Sequence, residues 1–259
     1  MQPAVIKYGG SALVGADAAL LEEIATLHEE GRRLVLVHGG GPEIDRALER
    51  RGIVTQRIAG HRVTDAATLE TVEAVLCSTI GKRLVRACLA LGVPSVGISG
   101  QDGPTLVAQK MLGEGGADLG FVGEIVDCDV TLLRALLDAG FLPVVAPLAI
   151  SPDGAQTYNV NADLAAAAIA SALKASAFLL VTNVPRVLRD LDDASSGIDR
   201  MTVAQARAFA ASEACRSSMK PKLLAAASAV SGGAERAYIC SPSSRTIASA
   251  IAGDATMIG

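Results

Sequence analysis

Apolar residues fall into two rhythms along this chain. Short unbroken apolar runs alternate with longer stretches in which apolar positions recur every three or four residues. Residues 5–8 read as a strand. Residues 18–30 read as a helix, with Leu20, Leu21, Ile24 and Leu27 on one face. The run 34–37 is apolar throughout, as expected of a strand covered on both faces. A helix follows through Arg51, with Pro42 near its first turn, where its missing N–H costs nothing. The stretch 66–91 predicts one long helix and 94–98 a short strand. Residues 100–128 are rich in glycine, and their β-type pieces at 105–108 and 121–126 predict hairpins on the edge of the main sheet. Beyond them the pattern gives a helix at 130–139, a strand at 142–146, a helix at 161–173 and a strand at 177–182. Helices at 202–210 and 219–231 and a strand at 236–240 complete it. The polar segment 190–200 reads as a loop. This βαβ rhythm predicts a mainly parallel sheet between two layers of helices.

Bulk composition narrows the function classes. The 259 residues are half hydrophobic and only 3% aromatic, with a net charge of −4. No basic block is present. These features argue against nucleic acid and against an anionic membrane surface as partner. No uncharged apolar run is long enough to span a bilayer. The five cysteines (Cys77, Cys88, Cys128, Cys215 and Cys240) are scattered and form no CxxC pair. Neither a disulfide framework nor a zinc site is expected. With no signal-peptide pattern at the start, a cytoplasmic location is expected.

Two glycine clusters carry the chemistry. One is Lys7-Tyr8-Gly9-Gly10 and the other is His38-Gly39-Gly40-Gly41-Pro42. Each follows a predicted strand, where glycine lets backbone N–H groups approach an anion without hindrance from a Cβ. Neither is a P-loop or a GxGxxG fingerprint. Lys7 is placed either to reach solvent from a strand end or to neutralise a transferring phosphoryl group. In Gly60-His61-Arg62-Val63-Thr64-Asp65, Thr64 or Asp65 suits a helix N-cap. Arg62 suits either a surface salt bridge or bidentate capture of a carboxylate. In Tyr158-Asn159-Val160-Asn161-Ala162-Asp163, Asn161 is a candidate N-cap and Asn159 a hydrogen-bonding group. Asp163 falls in a first helical turn, where the dipole favours a carboxylate. Met219-Lys220-Pro221-Lys222 puts two lysines at a helix start, against that dipole, which hints at an anion there.

Taken in order, these segments resemble the amino acid kinase family, in particular its branch acting on N-acetyl-L-glutamate. Leu119-Gly120-Phe121-Val122-Gly123 is similar to that family's substrate-side hairpin. The likeness runs from about residue 4 to the C-terminus. It implies a three-layer αβα sandwich forming one domain over 1–259. Within it, 1–175 would bind acetylglutamate and dimerise, and 176–259 would bind nucleotide. The implied reaction moves the γ-phosphoryl of ATP, with Mg²⁺, to the side-chain carboxylate of N-acetyl-L-glutamate in arginine biosynthesis. The resemblance makes Lys7 and Lys222 the charges on the transferring group, with Asp163 orienting them. Gly40, Gly41, Arg62 and Asn159 would hold the acetylglutamate. Gly9, Gly10, Thr182, Asn183, Ser218 and Met219 would border the nucleotide. The nucleophile is a carboxylate already ionised at neutral pH, so no general base is required. The resemblance further implies a homodimer. Arginine-inhibited relatives carry an extra N-terminal helix, and Lys7 lies too near the start for one, so little feedback by arginine is expected.

Two segments depart from the family's pattern, both on the nucleotide side. The strand end reads Thr182-Asn183-Val184-Pro185-Arg186 where the family usually has Asp after the Thr or Ser and a Val-x-Gly. Ser217-Ser218 stands where Gly-Gly is usual. Asn-Val-Pro and Met-Lys-x-Lys are also similar to the related kinases of carrier-linked aminoadipate or glutamate in lysine synthesis. A third possibility is a family member that binds a metabolite without turning it over.

Overall fold

The buried apolar runs settle into one eight-stranded sheet. The computed structural model describes residues 2–9, 17–190, 192–193, 195–215, 218–242 and 246–259. The first part of the chain runs β1 (Ala4–Tyr8), α1 (Asp17–Glu29), β2 (Leu34–His38), α2 (Gly41–Arg50), β3 (Arg57–Ile58) and β4 (His61–Arg62). Next come α3 (Ala66–Glu73), a π-helical segment (Ala74–Gly81), α4 (Lys82–Ala90), β5 (Ser95–Ser99), β6 (Val107–Leu112) and β7 (Asp118–Asp127). The middle continues with α5 (Thr131–Asp138), β8 (Leu142–Ala146), β9 (Leu148–Ile150), β10 (Thr157–Asn159), α6 (Ala162–Leu173) and β11 (Ala177–Val181). The chain closes with β12 (Val187–Leu188), β13 (Gly197–Ile198), β14 (Arg200–Met201), α7 (Val203–Ala211), α8 (Lys220–Ser231), β15 (Ala237–Cys240), α9 (Thr246–Ala252) and β16 (Thr256–Ile258).

The main sheet has the order β14-β16-β15-β11-β1-β2-β8-β5. Every neighbouring pair is parallel except β15 with β16. Side chains alternate across a strand, so each apolar run feeds two cores. Val5, Val35, Val37, Phe178 and Leu180 point to one face, where α6 and α8 pack. Ile6, Leu34, Leu36, Leu179 and Val181 point to the other, with residues of α1, α2 and α4. This is the expected αβα sandwich. Lys7 shares the face of Val5, so its side chain projects toward α6 and α8. Both helices are rich in buried alanine, whose small side chains bring them close to each other and to the sheet.

Several elements differ from the sequence pattern. The β6–β7 hairpin is not on the edge of the main sheet. It closes with β9 and β10 into a separate small barrel. β9 and β10 are too short to show a period, and β10 pulls Tyr158 and Asn159 into a strand. The stretch 66–91 is helical, but its middle is wound as π-helix, which places Leu76 and Ile80 against Gly40. The segment 190–200, expected as a loop, contains the short strand β13, which pairs with β12 just before it, and β14 at its end joins the main sheet. Among the described residues no helix is long and apolar enough to cross a membrane.

Candidate active site

Three charged side chains meet where β1, α6 and α8 converge. Asn161 caps α6, accepting hydrogen bonds from the backbone N–H groups of Asp163 and Leu164 at 2.8 and 3.3 Å. That cap fixes Asp163 in the first turn, aimed at the sheet. One carboxylate oxygen lies 2.8 Å from Lys7 Nζ, and the other accepts a hydrogen bond from Lys222 Nζ at 2.9 Å. Lys222 sits in the first turn of α8. The side chains of Lys7 and Asp163 are only 8% and 6% exposed, and that of Lys222 is 19% exposed. Burial alone would raise the Asp163 carboxyl. The charges of Lys7 and then Lys222 outweigh it and hold the group below the usual carboxylate range.

Two cavities meet at this junction. The smaller, about 240 Å³, is lined by the glycines 39–41 together with Arg62, Asn159 and Asp163. The larger, about 410 Å³, is lined by Gly9, Thr182, Asn183, Ser218, Met219 and Lys222. Lys7 lines both. Every described residue to which the resemblance gives a catalytic or binding role therefore borders one cavity or the other. Gly10 and Ser217 lie outside the described residues. A donor on one side and an acceptor on the other would face each other across Lys7.

Two of these glycines, Gly9 and Gly40, are closely packed. A Cβ on Gly9 would stand 2.9 Å from Lys7 Nζ, and one on Gly40 would collide with Ile80 and Leu76. Gly40 is the N-cap of α2 and has no side chain, so the helix opens with bare N–H groups toward the smaller cavity. Beside it, His38 is fully buried, with Nδ1 3.1 Å from the Gly39 carbonyl. A carbonyl only accepts, so Nδ1 carries the proton. Burial pushes the imidazole down to about 4, so it is neutral at ordinary pH.

Arg62 is ion-paired, as one of its sequence readings had it, but the pair is buried on the Arg62 side rather than on the surface. It lines the smaller cavity, and its Nη1 lies 2.5 Å from Asp45. Asn159 donates to Thr64 Oγ1 at 3.3 Å. Asp65, not Thr64, caps α3, accepting from Thr68 N–H at 2.7 Å. Thr64 instead ties the hairpin strand to β7, through Thr64 N–H to Leu119 O and Phe121 N–H to Thr64 O.

Sequence reasoning missed Arg57 and His61 in the smaller cavity and Leu188 and Phe209 in the larger. A signal for the first pair was present. Ala59-Gly60 is a two-residue hairpin turn with positive φ at both positions, which sets Arg57 opposite Arg62. Phe209 lies on α7, and nothing in its pattern separates a cavity wall from core.

Among the described residues no group of three His, Cys, Asp or Glu side chains is placed to hold a metal. The carboxylate at the junction is engaged by two ammonium groups.

Comparison with known proteins shows the family. The model of the amino acid kinase family matches residues 2–241. The acetylglutamate kinase of Thermoanaerobacter sp. (strain X514) is 43% identical over 237 residues, covering 91% of this chain and 78% of the relative. That of Brevibacillus brevis is 41% identical over 252 residues, covering 97% and 94%. The N-acetylglutamate synthase of Neisseria gonorrhoeae, solved with coenzyme A and N-acetyl-glutamate, superposes with a TM-score of 0.83 at 26% identity. This chain covers only 59% of that longer protein.

Proposed function

The chain belongs to the amino acid kinase family, and we propose that it transfers the γ-phosphoryl group of ATP to the side-chain carboxylate of N-acetyl-L-glutamate, a step of arginine biosynthesis. The observation that carries this reading is the Lys7–Asp163–Lys222 cluster between two cavities. N-acetyl-L-glutamate occupies the smaller cavity and ATP the larger. Arg62 and Asn159 hold the α-substituents of the acetylglutamate, and the bare N–H groups at Gly40 and Gly41 face its reacting carboxylate. Gly9, Gly10, Thr182, Asn183, Ser218 and Met219 border the nucleotide. The attacking carboxylate is already ionised, so positioning and charge compensation make up most of the catalytic task. Lys7 and Lys222 supply two positive charges to the transferring group. Asp163 keeps both ammonium groups on the same side of the reaction path. A magnesium ion bound with ATP would supply neutralisation of phosphate charge on the nucleotide.

The test is direct. Incubation with MgATP and free N-acetyl-L-glutamate, trapped with hydroxylamine, should give the acyl hydroxamate. Product only from a carrier-linked acid would move the assignment to the lysine-synthesis kinases. Binding without product would make the protein a metabolite-binding relative.

The protein works as a homodimer in the cytoplasm. The likeness to the family is what supports the pairing. Five free cysteines suit a reducing compartment. Light scattering at a single-chain mass would contradict the dimer.

A further inference from the structure

The smaller cavity has a second guanidinium at its mouth. Arg57 and Arg62 are direct cross-strand partners in the β3–β4 hairpin, and both line the cavity. Like charges placed opposite each other in a hairpin are unfavourable. Here Asp45, one turn into α2, relieves the repulsion. Its Oδ1 lies 2.5 Å from Arg62 Nη1, and it accepts from Arg57 Nη2 at 3.3 Å (Oδ1) and 3.2 Å (Oδ2). Thr55 Oγ1 accepts from Arg62 Nη1 at 3.3 Å. Arg62 is buried with its side chain 5% exposed, whereas Arg57 and Asp45 are about half exposed.

Two guanidiniums sharing one carboxylate leave one unit of positive charge at the rim. The same arithmetic holds at the junction, where two ammonium groups share Asp163. The cavity between them is thus positive at both ends, which suits a ligand with a carboxylate at each end.

We propose that Arg57 is a second α-carboxylate-binding residue and that Asp45 is its positioning counter-ion, so that the rim cluster selects acceptors with a free α-carboxylate. This rests on the acetylglutamate reading and specifies which part of that substrate the rim recognises. Arg57 presents N–H donors to the incoming carboxylate beside those of Arg62. Asp45 holds the two guanidiniums together and sets the net charge that the ligand meets.

The experiment measures KM for N-acetyl-L-glutamate alongside the inhibition constant of its α-carboxamide, which keeps the side-chain carboxylate but has a neutral α-group. Arg57→Gln should raise KM about tenfold, with the effect on KM rather than kcat, as for loss of one charge-assisted contact. The inhibition constant of the α-carboxamide should move by less than about twofold in the same variant. Asp45→Asn combined with Arg57→Gln restores the single positive charge and should bring KM back to within about threefold of the unaltered protein. A merely structural role for the pair would not give that recovery. Equal shifts for the two ligands, no shift, or a double variant no better than the single one would overturn the rim proposal. Failure of the unaltered protein to phosphorylate N-acetyl-L-glutamate would instead overturn the assigned reaction, so the two failures are distinguishable.

Discussion

The junction and the rim of the smaller cavity use the same device in different surroundings. At each, one carboxylate is shared by two cations. At the junction the three residues come from positions 7, 163 and 222, so the cluster exists only once β1, α6 and α8 have packed. At the rim they come from positions 45, 57 and 62, within one helix and the hairpin that follows it. Asp163 is 6% exposed and Asp45 51%. Water screens the rim and is largely excluded from the junction, so a charge counts for more at the junction. On the proposed reading the two regions divide the work: the junction acts on charge that develops during the reaction, and the rim acts on charge the substrate already carries.

The largest effect should come from breaking the junction. Asp163→Ala leaves two ammonium groups without their shared partner, one of them buried, and should lower kcat by about a thousandfold or more. The hydroxylamine assay reads this directly, and thermal unfolding should show a parallel loss of stability. Breaking the rim should look different. Arg62→Gln should raise KM for N-acetyl-L-glutamate about a hundredfold and move kcat by only a few-fold. A matching fall in kcat would erase the distinction between the two regions.

His38, the last residue of β2, gives a pH test. Its folded value of about 4 lies below the ordinary 6.5 because burial disfavours the charged ring. The unfolded chain therefore takes up the proton first as pH falls. Stability is full above pH 6.5, declines as pH drops from 6.5 to about 4, and is flat in this respect below that. The decline should total about 3 kcal/mol and be absent in His38→Gln. Asp163 has a linkage of the same sign in a lower pH window. Its depressed carboxyl stabilises the fold above its ordinary 3.8, and that contribution is lost as pH falls further. Denaturant unfolding across this range should separate the two windows. The smallest effect is that of salt. Raising ionic strength from 0.05 to 0.5 M should raise KM for N-acetyl-L-glutamate by about two- to fourfold and leave kcat nearly unchanged.

Much of this was legible in the sequence because the sheet and its helices are written in local periodicity. The runs at β1, β2, β8 and β11 are buried along nearly their whole length, and both glycine clusters lie where such runs end. Asn161 and Asp65 cap the helices the pattern placed after them. The barrel was not legible. β9 and β10 have three residues each, and their partners are set by tertiary contact. The convergence of Lys7 with Lys222 came only from the resemblance, since no spacing rule joins residues so far apart. Arg57 was missed for another reason. Its signal is the Ala59-Gly60 turn, and positive φ at an alanine is not a feature that composition announces.

The central claim is that Lys7 and Lys222 act together on one transferring group through Asp163. The most direct test is kcat for Lys7→Met, Lys222→Met and the double variant under saturating substrates. Each single change should cost about a hundredfold or more, and the double variant should be scarcely slower than the worse single one. Losses that multiply in the double variant would mean that the two lysines contribute separately, and would contradict the account.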